Sequence, residues 1–133
     1  MRRIILALSL TAIGIATAVA QQPGTRPQFT GTSTVMDGKD LSAARRSFDA
    51  GARTYWHSHD NGQFLMVEKG TMRTQKHGEK MRELKPGESD YTAPNVVHWH
   101  GAAPNEPLVQ INVGFGGGSK WYEAVTDAQY NGK

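Results

Sequence analysis

The sequence contains no cysteine. Disulfide staples and thiolate metal ligands are therefore excluded, and so is a lipid-modified cysteine as a membrane anchor. A cysteine-free chain also suits an oxidising compartment. Clustered charge is missing as well. The 15 Lys and Arg against 12 Asp and Glu give a formal net charge of +3, but the basic residues are scattered and leave no electrostatic footprint for nucleic acid. There is no internal repeat and no low-complexity tract. Before residue 120 there is no helical periodicity long enough to define a helix.

The one long apolar stretch runs from Ile4 to Ala20, preceded by Arg2 and Arg3 and closed by Ala18-Val19-Ala20. A positive start, an apolar run and a small-x-small ending predict a secretory signal peptide over residues 1–20. As an uncleaved anchor the run would be at the short edge of what spans a bilayer. The expected location is the bacterial periplasm or the exterior, with no membrane contact after cleavage. Losing Arg2 and Arg3 leaves 13 basic against 12 acidic residues, a net charge of +1. Residues 21–28 hold two prolines and a glycine and read as a linker arm. That leaves 29–133 as one domain. A domain of that size buries only about two-thirds of its unfolded surface, so sheet closure, a metal ion or a second subunit would each help stabilise it.

What is present is a series of short strand-like segments: Phe29–Met36, Ala43–Asp49, Thr54–His59, Gln63–Glu68, Thr71–Lys76, Ser89–Ala93, Val96–His100 and Leu108–Phe115. Between them stand turn signals such as Asp37-Gly38, Asp60-Asn61-Gly62, Lys69-Gly70, His77-Gly78 and Pro86-Gly87. This pattern predicts an all-β sandwich, jelly roll or barrel. Trp121–Tyr130 is the exception, because Thr126 and Gln129 are spaced for a short capped helical turn.

Four of the five histidines form two pairs, His57/His59 and His98/His100, each with one residue between. In a strand, residues two apart share a face, so each pair sets two imidazoles side by side. Imidazole is the commonest metal ligand, and two such pairs in one small domain predict a shared ion. Parity does not separate His98 from His100. It places Trp99 on the far side and suggests that Arg53 and Tyr55 join His57 toward the cavity, where a bulge could also turn Thr54 inward. His77 reads as a surface turn residue. Trp56, Trp99, Phe64, Leu65 and Met66 read as core or subunit contacts.

The stretch Gly51-Ala-Arg-Thr-Tyr-Trp-His57-Ser-His59-Asp-Asn-Gly-Gln63, continuing to Gly70, and the stretch Pro86-Gly87 through Pro94 to His98-Trp-His100 together resemble the two sequence motifs of the cupin superfamily. With His98-Trp-His-Gly-Ala-Ala-Pro104 and the Trp121–Tyr130 tail, the chain is most similar to small single-domain bacterial cupins, a group that includes manganese-dependent (R)-selective hydroxynitrile lyases and proteins related to carboxymuconolactone decarboxylase. The resemblance implies a double-stranded β-helix, or jelly-roll barrel, ending in a short helical turn. It implies that His57, His59, Gln63 and His98 ligate one divalent metal ion per subunit. Mn²⁺ is favoured, and Fe²⁺, Co²⁺, Ni²⁺ and Zn²⁺ are also compatible with the donors. His100 maps to a cavity residue near the ion, and homodimers or homotetramers are expected.

Three departures stand out. Gln63 occupies a position where cupins usually carry glutamate, although the lyase-like group shares the glutamine. Pro94-Asn95 replaces a Pro-Gly turn, with Val96 where a glycine is common. Gln110 stands where the lyases have a further histidine. Three neutral imidazoles and an amide leave the ion's full double charge in place, which favours Lewis-acid chemistry on a small carbonyl or hydroxy compound. The expected catalytic residues are His100, as general acid or base, with Thr54 and Gln110 as polar partners. Quercetinase-type dioxygenation and non-enzymatic binding of a small molecule or metal are the alternatives.

Overall fold

The computed structural model describes residue 30 and residues 32–133. The signal peptide and linker arm expected over 1–28 lie outside the described residues. The chain divides after Val35 into two units. In the first, residues 32–35 have no regular secondary structure, so the described part of the segment expected over Phe29–Met36 is not a strand. The second unit, Met36–Lys133, contains all the strands found among the described residues.

Nine strands and one short helix follow in order: β1 (Ser42–Phe48), β2 (His57–His59), β3 (Gln63–Lys69), β4 (Met72–Lys76), β5 (Arg82–Leu84), β6 (Ser89–Thr92), β7 (His98–Ala102), β8 (Leu108–Gly114), β9 (Ser119–Trp121) and α1 (Asp127–Tyr130). They form two antiparallel sheets, one ordered β1-β8-β3-β6 and the other β5-β4-β7-β2-β9. This is the expected jelly-roll arrangement. Two strands escaped the sequence reading: β5, only three residues long, and β9, which follows Gly116-Gly117-Gly118 and takes Trp121 out of the helical tail.

Side chains between the sheets change from apolar to polar along each strand. On β8 the inward series is Leu108, Gln110, Asn112. On β7 it is Ala102, His100, His98, and on β3 it is Val67, Leu65, Gln63. Leu65, Val67, Met72, Leu84, Ala102 and Leu108, with Phe48 against them, fill the apolar end. Each fully buried Leu, Val or Met contributes about 1.5–3 kcal/mol. This plug leaves the opposite end for polar groups.

The outward face of the second sheet is also buried, which explains why β7 shows no alternation. Trp56, Trp99, Val125 and Tyr130 pack there with Met81 and Val97, as parity requires for Trp99. The C-terminal segment is held by the Thr126–Gln129 capping box and by the Tyr130 hydroxyl, which donates to Ala102 O at 2.6 Å. The guanidiniums of Arg53 and Arg73 lie 4.4 and 4.9 Å from the Tyr130 ring centre.

Arg53 therefore does not face the cavity. It bonds Val125 O and Asp127 outside the sheet, and Tyr55 is 57% exposed. The parity argument fails here because residues 54–56 are not a strand, and Arg53 forms only an isolated bridge with Gly101. That bridge depends on glycine. A Cβ at Gly101 would sit 2.5 Å from Ala52 O and from Arg53 Cα. The close approach lets Thr54 N donate to His100 O at 2.9 Å, while Thr54 Oγ1 accepts from His100 N at 3.1 Å.

Candidate metal centre

Cross-strand register assembles the histidines. His57 on β2 lies directly opposite His98 on β7, with ring centroids 4.3 Å apart. His59 continues β2, with its ring 5.1 Å from that of His57 and 5.6 Å from that of His98. His100 follows on β7, 5.3 Å from the His57 ring. Gln63 reaches the cluster from the facing sheet, and its Oε1 lies 3.0 Å from His98 Nε2. All seven expected site residues converge on this region, because Thr54 is bonded to His100 and Gln110 Nε2 lies 3.2 Å from His100 Nδ1.

The turn before His98 is made by a non-glycine residue. Asn95 takes φ 63°, the left-handed region that Asn tolerates better than most residues. Its N–H donates to His59 O at 2.8 Å, which ties the approach to β7 to the end of β2.

Backbone and hydroxyl partners fix three of the rings. Nδ1 of His57 donates to Tyr55 O at 3.0 Å, and Nδ1 of His98 donates to Val96 O at 3.1 Å. His59 Nδ1 pairs with Ser119 Oγ at 2.9 Å, while its buried Nε2 has no partner. A proton on Nδ1 leaves an unshared pair on Nε2, the arrangement that outer partners impose on metal-binding histidines. His100 is different. Gln110 Nε2 donates to its Nδ1 and also to Asn112 Oδ1, so the hydrogen of the neutral ring sits on Nε2.

Burial holds the imidazoles neutral. Desolvation pushes His57 down to about 4, with the nearby His59 acting in the same direction. It pushes His98 down to about 3, assisted by repulsion from His57. His59 is lowered mainly by burial, and His100, fully enclosed, falls well below its ordinary value. In this orientation of the Gln63 amide, its Oε1 and the unprotonated Nε2 of His98 therefore present lone pairs to each other at 3.0 Å. A cation between them would turn that repulsion into attraction. Together with the unpartnered His59 Nε2, this donor set fits a divalent ion. By distance alone, the group of histidines among the described residues whose nitrogens all lie within 4.8 Å of one another is His57, His98 and His100, with His59 outside it.

A cavity of about 280 Å³ opens on the cluster, close to the lower end of the range for small-molecule sites, roughly 300–1,000 Å³. Its walls include Arg46, Phe48, Asn112, Ser119 and Trp121, none of which the sequence reading selected. Asn112 shares the strand parity of Gln110, which only the resemblance had singled out. Ser119 and Trp121 belong to β9, which the triple glycine conceals. Trp121 stacks on the His57 ring at 4.7 Å.

Comparison with known proteins agrees with this architecture. A family model described as a cupin domain matches residues 44–114. The (R)-mandelonitrile lyase of Granulicella tundricola is 38% identical over 93 residues, covering 68% of this chain and 71% of that protein. A cupin-like protein from Thermotoga maritima superposes with a TM-score of 0.67 at 42% identity, covering 69% of this chain and 71% of that one. The DMSP lyase DddQ of Ruegeria pomeroyi, 17% identical with a TM-score of 0.55, covers 68% of this chain and 44% of its own, and shares the fold alone. This chain belongs to the cupin family.

Proposed function

We propose that the protein is an exported, metal-dependent lyase acting on a small carbonyl or hydroxy compound, with cyanohydrin cleavage as its most specific version. The observation that carries the reading is the hydrogen-bond pattern of the four histidines. Backbone carbonyls hold hydrogen on Nδ1 of His57 and His98 and so free their Nε2, His59 Nε2 is buried without a partner, and Gln63 Oε1 lies 3.0 Å from His98 Nε2; these four groups are the proposed ligands. His100 is kept out of the set because Gln110 occupies its Nδ1 and leaves hydrogen on Nε2. A divalent ion held there, uncompensated by any carboxylate ligand, would supply Lewis acidity toward a substrate oxygen.

The remaining residues orient the substrate and handle its proton. His100, neutral at pH 7, is the group for proton transfer at Nε2. Gln110 holds that tautomer, since its Nε2 donates both to His100 Nδ1 and to Asn112 Oδ1. Its Oε1 has no partner among the described residues. Thr54 fixes the backbone of His100 through the 3.1 Å bond to its N–H, which keeps the ring at the cavity wall. The neighbouring Phe48 ring, edge-on to His100 at 5.8 Å, helps exclude water. Similarity to a mandelonitrile lyase supports the choice of reaction.

The test is mandelonitrile cleavage by manganese-loaded protein, compared with free manganese and with His57→Ala. Turnover above the free ion that is lost in the variant, along with stoichiometric metal, is the expected result. A rate no greater than that of the free ion removes the cyanohydrin reaction. Export, which rests on residues 1–20, is checked by N-terminal sequencing of protein recovered from the periplasm or medium, with Gln21 expected first.

A further inference from the structure

We infer that the substrate carries a carboxylate and that Arg46 binds it, making the natural ligand a small hydroxy- or oxo-acid. This rests on the reading above that the substrate's oxygen sits at the histidine cluster. Arg46 lies opposite Gln110 in the β1–β8 register, on the same face of β1 as Ala44 and Phe48. It lines the 280 Å³ cavity over the histidines and an adjoining one of about 260 Å³ that shares His59, Gln63 and Asn112 with it. No aspartate or glutamate lines either cavity.

The neighbouring arginine shows what is missing. Arg45, pointing the other way from β1, pairs with Glu68 at 2.7 Å. Arg46 has no ion pair and no side-chain hydrogen bond among the described residues. A guanidinium keeps its charge at any working pH and offers two parallel N–H groups that match a carboxylate. Arg46 is exposed to solvent at the rim, and among the described residues lining this cavity it is the one side chain with a permanent charge. A neutral cyanohydrin would leave it unused. A 2-hydroxy or 2-oxo acid would use both ends of the site, its carboxylate on Arg46 and its other oxygen at the cluster.

The experiment measures calorimetric affinities of (R)-mandelate and of its neutral isostere (R)-mandelamide for manganese-loaded wild type, Arg46→Gln and Arg46→Lys. Melting temperature and elemental metal content are recorded for each. The expected result is that R46Q weakens mandelate about tenfold, the scale of a lost charge-assisted hydrogen bond, and changes mandelamide less than about twofold. R46K should retain part of the preference for the acid. Equal weakening of both ligands, no weakening of mandelate, or no binding of either ligand to wild type overturns the assignment. Metal content separates this from the reading beneath it. Wild type without stoichiometric metal refutes the metal centre, whereas full metal with an unchanged R46Q refutes only the role of Arg46.

Discussion

Acidifying the metal-free protein from pH 7.5 to 5 is expected to destabilise it through its own histidine cluster. In the unfolded chain these imidazoles protonate near 6.5, whereas in the folded chain burial holds His57 down to about 4 and His98 to about 3. Between those limits the unfolded state binds more protons, so stability rises with pH and is lost as pH falls through the window from about 6.5 toward 3. At pH 5 the unfolded form gains about 2 kcal/mol from each of these two residues, at about 1.4 kcal/mol per pH unit below 6.5. His59 and His100 shift in the same direction and add to the loss. A combined cost of about 4 kcal/mol is a large share of the 5–15 kcal/mol that holds a typical domain together. For a domain of about 100 residues it corresponds to a fall in Tm of roughly 15–30 °C. The assay is thermal unfolding by circular dichroism on chelator-treated protein, with His57→Gln/His98→Gln run beside it. The variant should show a clearly shallower pH dependence. A wild-type Tm that moves by less than about 5 °C, or a double variant with the same slope, would refute the claim that these rings are buried and neutral.

Two further substitutions probe separate parts of the molecule. Gln63→Glu places a negative charge against His98 Nε2, so it should bind the ion more tightly yet lower mandelonitrile turnover by about 10–100-fold, the range seen when a metal's surroundings are altered. Elemental analysis with steady-state kinetics checks this, and unchanged or faster turnover would contradict the importance of the uncompensated charge. Tyr130→Phe removes the 2.6 Å bond to Ala102 O and should cost about 1–2 kcal/mol while leaving metal content intact. Denaturant unfolding measures the cost, and loss of metal would show that the C-terminal clamp supports the site directly.

The all-β class and the convergence of the histidines were legible because both depend on local rules: turn residues at short intervals, and period-two spacing within a strand. The tail was legible for the same reason, since the Thr126–Gln129 capping box is contained in four consecutive residues. What could not be read depended on contacts between distant segments. Arg53 has the parity of His57, but Gly101 admits the backbone of residues 52 and 53 so closely that the strand stops and the arginine turns outward to Tyr130. Arg46 precedes His57 by eleven residues but enters the cavity only through the pairing of β1 with β8. Neither event leaves a periodic trace along the chain.

The choice between His98 and His100 shows most clearly where spacing ends and chemistry begins. Both are buried on the inward face of β7, and both have nitrogens close enough to His57 to share an ion. Their ring partners differ in kind. Val96 O, a carbonyl, can only accept, so it requires hydrogen on Nδ1 of His98 and frees Nε2. The Gln110 amide nitrogen can only donate, so it requires the opposite tautomer in His100. Two identical side chains on one strand are thereby set to different tasks by one hydrogen atom each. Gln110 thus bears on how His100 holds its proton, while Val96 sets the ring of His98 that is proposed to hold the ion.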